Sequence, residues 1–275
     1  MTKEKYDVIV VGGGPAGIIS AVTAKKSYPA KKILLIKSIA DGVIPCGIPY
    51  MYHSLAKPED NAMGNAPLEN NDIELLIDEV SGLDRGDRSL FLKSGKELSY
   101  EKLILAMGSD PVVPPIKGTE KKGVYPIIKK MSYLKDLKEK ISRAKNVLII
   151  GGGFIGVEFA DELAGLKGPR VSLVEFLPDL LMNSFDPEFG KMVEEKLSAR
   201  GVNLLLGKKV EEIIGKDSVE GVLLSGGEKV PVDLIVLGIG ASPSVELAKK
   251  AGLEMVKGKS IWVDEYMRTS DSDIF

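Results

Sequence analysis

Two stretches of this 275-residue chain carry one pattern, and it limits the fold more than any other feature of the sequence. The first reads Tyr6-Asp7-Val8-Ile9-Val10-Val11-Gly12-Gly13-Gly14-Pro15-Ala16-Gly17, the second Lys145-Asn146-Val147-Leu148-Ile149-Ile150-Gly151-Gly152-Gly153-Phe154-Ile155-Gly156. Each is a β-branched apolar run, as a buried parallel strand requires, followed by G-x-G-x-x-G and a helical stretch, Ile18 to Lys26 in one and Val157 to Leu166 in the other. A second strand then follows, Lys32 to Lys37 and Arg170 to Glu175. The spacing predicts two βαβ dinucleotide-binding units. Gly12 and Gly151 allow the tight turn out of the strand, Gly14 and Gly153 let backbone approach a pyrophosphate, and Gly17 and Gly156 let helix close on strand. Pro15 with Ala16, and Phe154 with Ile155, open helices whose free N–H groups face the phosphates.

The ends of the second strands differ. Glu175 stands where a carboxylate accepts hydrogen bonds from an adenosine ribose, and no Arg follows it to hold a 2′-phosphate, which favours NADH over NADPH. In the first copy that place falls on Lys37, which cannot accept such bonds. Either that ribose is held differently or the strand end lies one residue away.

Composition removes competing chemistries. With one Cys (Cys46) and one His (His53) there is neither a disulfide framework nor a four-ligand structural zinc site within the chain, and no metal site is expected. The 37 Lys and Arg against 39 Asp and Glu give a net charge of −2, without the basic excess of a nucleic-acid binder. Neither a signal-peptide core nor a run of 18 apolar residues occurs, so a soluble, cytoplasmic protein is expected. Of the 30 glycines, about 11 exceed average usage, and the two loops absorb most of the surplus.

Cys46 lies in Ile44-Pro45-Cys46-Gly47-Ile48-Pro49-Tyr50. Pro45 and Cys46 read as a helix start, where a dipole would favour the thiolate, and Gly47 as a place where a flat ring or substrate could meet backbone. Other segments read more plainly. Met131, Leu134, Leu137 and Ile141 space as the buried face of a surface helix. His53 reads as a helix-surface or packing residue, Trp262 as core, and Lys25, Lys26, Lys31 and Lys32 as a solvated helix end that could also meet substrate phosphates. Ile73 to Ile77, Ser89 to Lys93 and Glu97 to Tyr100 are expected to form an antiparallel piece turning at Lys93-Ser94-Gly95-Lys96.

Taken with Leu103-Ile104-Leu105-Ala106-Met107-Gly108-Ser109 and Gly151 through Glu158, these motifs resemble the FAD-dependent pyridine nucleotide-disulfide oxidoreductases. Within them the chain is similar to the single-cysteine branch of coenzyme A disulfide reductases, NADH oxidases, NADH peroxidases and persulfide reductases. The resemblance implies an α/β fold with two Rossmann-like, glutathione-reductase-type nucleotide-binding domains, their parallel sheets carrying antiparallel β insertions. An FAD domain would cover 1–118, an NAD(H) domain 119–241, and 242–275 would begin the return to the first. Gly12, Gly14, Pro15, Ala16, Gly17, Lys37, Ala106 and Gly108 would line the FAD site. Gly151, Gly153, Phe154, Ile155, Gly156, Glu158 and Glu175 would line the NADH site, with Glu158 near the nicotinamide and Cys46 facing the flavin; Gly240, in the segment that leads back into the FAD domain, would also be a cofactor-binding residue.

Two departures bear on function. The family's Gly-Asp segment, which binds the flavin's ribityl-phosphate region, and its dimerisation domain would follow Phe275. The chain is therefore expected to be a fragment of a homodimeric protein, or to hold FAD without that Asp. Oxidase and peroxidase members often carry a His where Pro15 stands, which tilts the expectation toward reduction of a small disulfide or persulfide such as coenzyme A disulfide. Reduction of O2 or H2O2 is the alternative, and a non-enzymatic, regulatory flavoprotein with an inert Cys46 is the third. None involves a nucleic acid or a membrane.

Overall fold

A computed structural model describes residues 3–275, which divide into two compact units. The first comprises the chain up to Ile44, Ala62–Asp110 and Ser242–Phe275; the second comprises Pro45–Asn61 and Pro111–Ala241. The crossing falls at Asp110 rather than at Gly118, and the Cys46 segment clusters with the second unit.

In the first unit β1 (Glu4–Val11), α1 (Pro15–Ser27) and β2 (Ile33–Lys37) form the expected βαβ start. The short α2 (Ala66–Glu69) precedes β3 (Glu74–Ile77), and β4 (Val80–Asp84), β5 (Ser89–Leu92) and β6 (Glu97–Leu105) follow. They order as β3-β2-β1-β6-β5-β4. Alternate side chains of the central strands serve opposite faces, as a pleated strand dictates. Val10, Ile33 and Leu35 pack with Ile18 and Ala21 of α1, whereas Ile9, Val11, Leu34 and Ile36 pack with Leu90, Leu103 and Ile274.

The antiparallel expectation needs correction at one strand. Residues 74–77 pair parallel with β2, because α2 and its turn bring the chain back to enter the sheet in the same direction. Strand β5 pairs antiparallel with β6 as expected, and on its other side with β4, whose pairing is broken by a register shift between Val80 and Gly82, so its alternation is poor in the sequence. The expected turn is present: the Gly95 N–H donates to the Leu92 carbonyl at 3.0 Å with Gly95 at φ 87°.

The chain then runs through β7 (Ser109–Pro111) into the second unit. There β8 (Val124–Pro126), α3 (Met131–Arg143), β9 (Asn146–Ile150), α4 (Phe154–Ala164), β10 (Arg170–Val174), α5 (Pro187–Ala199) and β11 (Asn203–Leu205) lead to β12 (Val210–Ile214), β13 (Gly221–Leu224), β14 (Lys229–Pro231) and β15 (Leu234–Leu237). The sheet β11-β10-β9-β15-β8 is parallel throughout, and β12-β13-β14 is an antiparallel insertion. Met131, Leu134, Leu137 and Ile141 are buried as the spacing of α3 predicts.

Through β16 (Ala241–Pro243) the chain returns to α6 (Glu246–Lys250), β17 (Met255–Val256) and β18 (Ser260–Ile261). Trp262 follows β18 and is 38% exposed, so it is not core: the hairpin ends one residue earlier and leaves the ring at the surface. No helix is long and apolar enough to cross a membrane among the described residues.

Candidate functional site

The two glycine loops share the backbone bonds that shape the turn. The Gly12 N–H donates to the Ile36 carbonyl at 2.8 Å and the Gly151 N–H to the Val174 carbonyl at 2.9 Å. The first full helical bond, Ile18 to Gly14 and Val157 to Gly153, is 3.0 Å in each. A Cβ on Gly17 would meet the Gly12 carbonyl oxygen at 1.9 Å, and one on Gly156 the Gly151 oxygen at 1.8 Å, so no other residue fits the helix against the turn. Gly14 and Gly153 by contrast look into open space, which is where a pyrophosphate would pass. Each loop also has a backing. Ala106 stands against Gly12 and Gly17, and Gly238 against Gly151 and Gly156, and each of the two donates its N–H to the strand carbonyl before its loop at 2.8 Å. Gly108 and Gly240, two residues further on in each copy, have φ of 73° and 97°. Gly238 thus stands in the second copy where Ala106 stands in the first.

The strand ends carry the difference. Glu175, 7% exposed, accepts the Gly152 N–H on Oε2 at 2.5 Å and the Leu177 N–H on Oε1 at 2.9 Å. Each oxygen keeps acceptor capacity for a ribose hydroxyl. Lys37 occupies the same place beside Gly13, where an added Cβ would meet its stem at 2.6 Å, which settles that the strand end is not misread. Its Nζ donates to Asn65 Oδ1 at 2.8 Å, and burial lowers its pKa from the ordinary lysine range. The loop of the first unit is thus flanked by a cation and an amide.

On α4, Glu158 lies one turn beyond Phe154 and is half-buried without a hydrogen-bond partner among the described residues, so desolvation raises its carboxyl pKa. Phe154 meets Phe185 edge to face at 5.6 Å, and Phe185 meets Phe189 at 6.0 Å; all three are about half exposed and form an apolar rim beside the second loop.

Cys46 is a free, exposed thiol. The expected helix start is not there. Pro45–Gly47 and Pro49–Met51 are 3-10 turns of three residues each: Pro49 lacks the N–H that would bond the Pro45 carbonyl in an α-helix, and Gly47 is a poor helix former. Gly47 is needed for a reason other than ligand approach: a Cβ there would strike Asn61 Oδ1 at 1.9 Å, so the buried Asn61 amide fills that space. His53 is exposed in a turn, not on a helix, with its ring over Gly165. Lys25, Lys31 and Lys32 face Asp72, Asp7, Glu101, Glu4 and Glu74 and are committed to the protein's own carboxylates. Among the described residues no group of three or more His, Cys, Asp or Glu could hold a metal ion.

The model of the pyridine nucleotide-disulphide oxidoreductase family matches residues 6–275. A CoA-dependent NAD(P)H sulfur oxidoreductase of Pyrococcus abyssi is 33% identical over 100% of this chain and 62% of its own length. A rubredoxin-NAD(+) reductase of Pseudomonas putida is 32% identical over 98% of this chain and 70% of its own. The solved structure of a NAD-dependent persulfide reductase from A. fulgidus superimposes with a TM-score of 0.90 at 29% identity, covering 98% of this chain and 52% of that one. The chain therefore spans less than two thirds of the sulfur oxidoreductase it resembles.

Proposed function

This chain belongs to the pyridine nucleotide-disulphide oxidoreductase family, and on that premise we propose that it is an NADH-dependent flavoprotein reductase whose electrons leave through Cys46 to a small disulfide or persulfide such as coenzyme A disulfide. The observation that carries the reading is the presence in one chain of two matching glycine cradles and of a single free, exposed thiol. FAD fits the first unit: Gly12, Gly14 and Gly17 shape a cradle backed by Ala106, and Gly14 is open where phosphate would lie. Bound flavin would supply the exchange between a hydride and an electron pair at sulfur. NADH suits the second loop, since the Glu175 carboxylate would repel a 2′-phosphate.

The chain's own chemistry follows from having one thiol. The Cys46 thiolate attacks one sulfur of the disulfide, forming a mixed disulfide and releasing one thiolate, which takes a proton. Two electrons from NADH and one proton then cleave the mixed disulfide, releasing the second thiol and restoring the thiolate. Pro15, at the first position of α1, offers no side-chain proton donor or acceptor to a sulfenic acid, which supports disulfide over peroxide as acceptor. The reading carries with it a homodimeric full-length protein in the cytoplasm.

Absorbance in the yellow flavin region and its bleaching by NADH test the cofactors. Cys46→Ser should keep the bleaching and lose NADH-driven disulfide reduction; undiminished turnover would sink the thiol mechanism. Pro15→His should raise peroxide turnover.

A further inference from the structure

The segment Pro45–Asn61 is tied to the second unit at several points beyond Cys46. Next to the thiol, the Ile48 N–H donates to the Pro45 carbonyl at 3.3 Å. Five to thirteen residues further on there are further ties. Tyr52, 1% exposed, packs its ring on Phe159 of α4 with centroids 5.0 Å apart. Lys138 of α3 donates to the Met51 carbonyl at 2.7 Å, and Lys135 pairs with Glu59.

The strongest tie is at Glu162 of α4. It is 5% exposed, and its two oxygens accept the Ser54 backbone N–H at 2.8 Å and the Ser54 hydroxyl at 2.6 Å. A carboxylate buried this deeply is costly unless it is hydrogen-bonded. Here both bonds come from one residue of the Cys46 segment. Helix α4 is also the helix that opens from the second glycine loop, at Gly153. One rigid element thus presents a dinucleotide cradle at its N-terminus and, two turns on, holds the segment that bears the thiol.

We propose that Glu162 is the positioning residue for Cys46, clamping the thiol's segment to the dinucleotide helix through Ser54. The proposal rests on reading Cys46 as the redox thiol. Two acceptor oxygens facing two donors define what the site demands. Glutamine meets it nearly, because the Ser54 hydroxyl can turn to accept from the new amide N–H; alanine cannot.

The test uses the flavin-loaded protein with Glu162→Ala, Glu162→Gln and Ser54→Ala. Hydrogen exchange should speed up at the Ser54 amide by about tenfold or more in Glu162→Ala, with the strands of the second sheet unchanged. Alkylation of Cys46 by iodoacetamide in the resting protein should change by about fivefold, since the thiol loses its fixed surroundings. Disulfide turnover should fall about tenfold in kcat with the KM for NADH nearly constant, and Glu162→Gln should restore most of it. Alkylation and kcat within twofold of the parent, despite faster exchange at Ser54, would overturn the proposal. Should Glu162→Ala not fold, Ser54→Ala decides, because it removes one bond and leaves the backbone bond: a change in the same direction supports the clamp and none refutes it. Exchange and alkylation need no turnover, so a fully active Cys46→Ser would defeat the proposed function and leave these results standing.

Discussion

Glu175 and Lys37 stand at equivalent strand ends and treat the loops beside them oppositely. Glu175 takes up the Gly152 N–H and presents acceptors, whereas Lys37 turns to Asn65 and presents a buried cation. Glu175→Ala should therefore weaken NADH binding by about 10- to 100-fold, the worth of one charge-assisted bond of about 1.5–3 kcal/mol, measured by titration of flavin bleaching. Flavin retention should not change. Lys37 also predicts a pH effect. Its folded pKa lies below the unfolded value of 10.5, so the unfolded chain holds the proton more firmly and stability rises as pH climbs from the folded value toward the unfolded one. Glu158 has the opposite consequence: its raised carboxyl pKa means stability falls as pH climbs from 4.5 through the folded value. Urea midpoints across pH should lose the alkaline rise in Lys37→Met and the acidic-side fall in Glu158→Gln; unaltered profiles would refute both assignments. The identity of Lys37 as the exceptional residue was legible in the sequence because the loop-to-strand-end spacing is local. Its partner Asn65 was not, because nothing in a one-dimensional pattern connects β2 to the N-cap of α2.

At the scale of elements the same distinction holds. Helix α3 is legible because its four apolar positions alone satisfy a helical period and face one core. The Gly95 turn is legible from its own residues. Strand β4 is not, since its register shift breaks the alternation that identifies a strand, and β3 was given the wrong partner because partnership is decided by the path of 38–73. The Cys46 segment was hardest. Its prolines suggested a helix start, but its conformation is set by contacts far away in sequence, among them the Glu162–Ser54 bonds across 108 positions. Tyr52 marks a weak point in that packing: its hydroxyl is buried and has no hydrogen-bond partner among the described residues. Tyr52→Phe should therefore keep the ring on Phe159 while removing an unsatisfied group, raising stability by about 1–2 kcal/mol in denaturant unfolding. A loss of stability would mean that the hydroxyl has a partner the protein needs.

For the molecule as a whole, the sequence repeat foretold two cradles and, through them, most of both sheets. It did not foretell how residues 273–275 pack against β6. Leu103 in the middle of β6 donates to the Asp273 carbonyl at 2.9 Å, Phe275 donates back to Leu103 at 2.8 Å, and Leu105 donates to Phe275 at 2.7 Å. Ile274 is fully buried against Leu103 and Ile9, and the Asp273 carboxylate pairs with Lys102 and Arg88, which hold its pKa below the usual aspartate range. These three residues thus brace β6, and β6 leads directly into Ala106, the backing of the first glycine loop. Removing 273–275 deletes a buried isoleucine, worth about 2–5 kcal/mol, and leaves two backbone donors of β6 without acceptors. The first unit should lose stability and flavin. The second shares none of these bonds, so hydrogen exchange in β9, β10 and α4 should stay as slow as in the parent. The acid limb should respond as well, because a carboxylate held low contributes stability above 3.8 that is lost as pH falls through its folded value, and the truncated chain lacks it. Flavin retention equal to that of the parent, or protection lost evenly in both units, would show that residues 273–275 do not brace the first cradle.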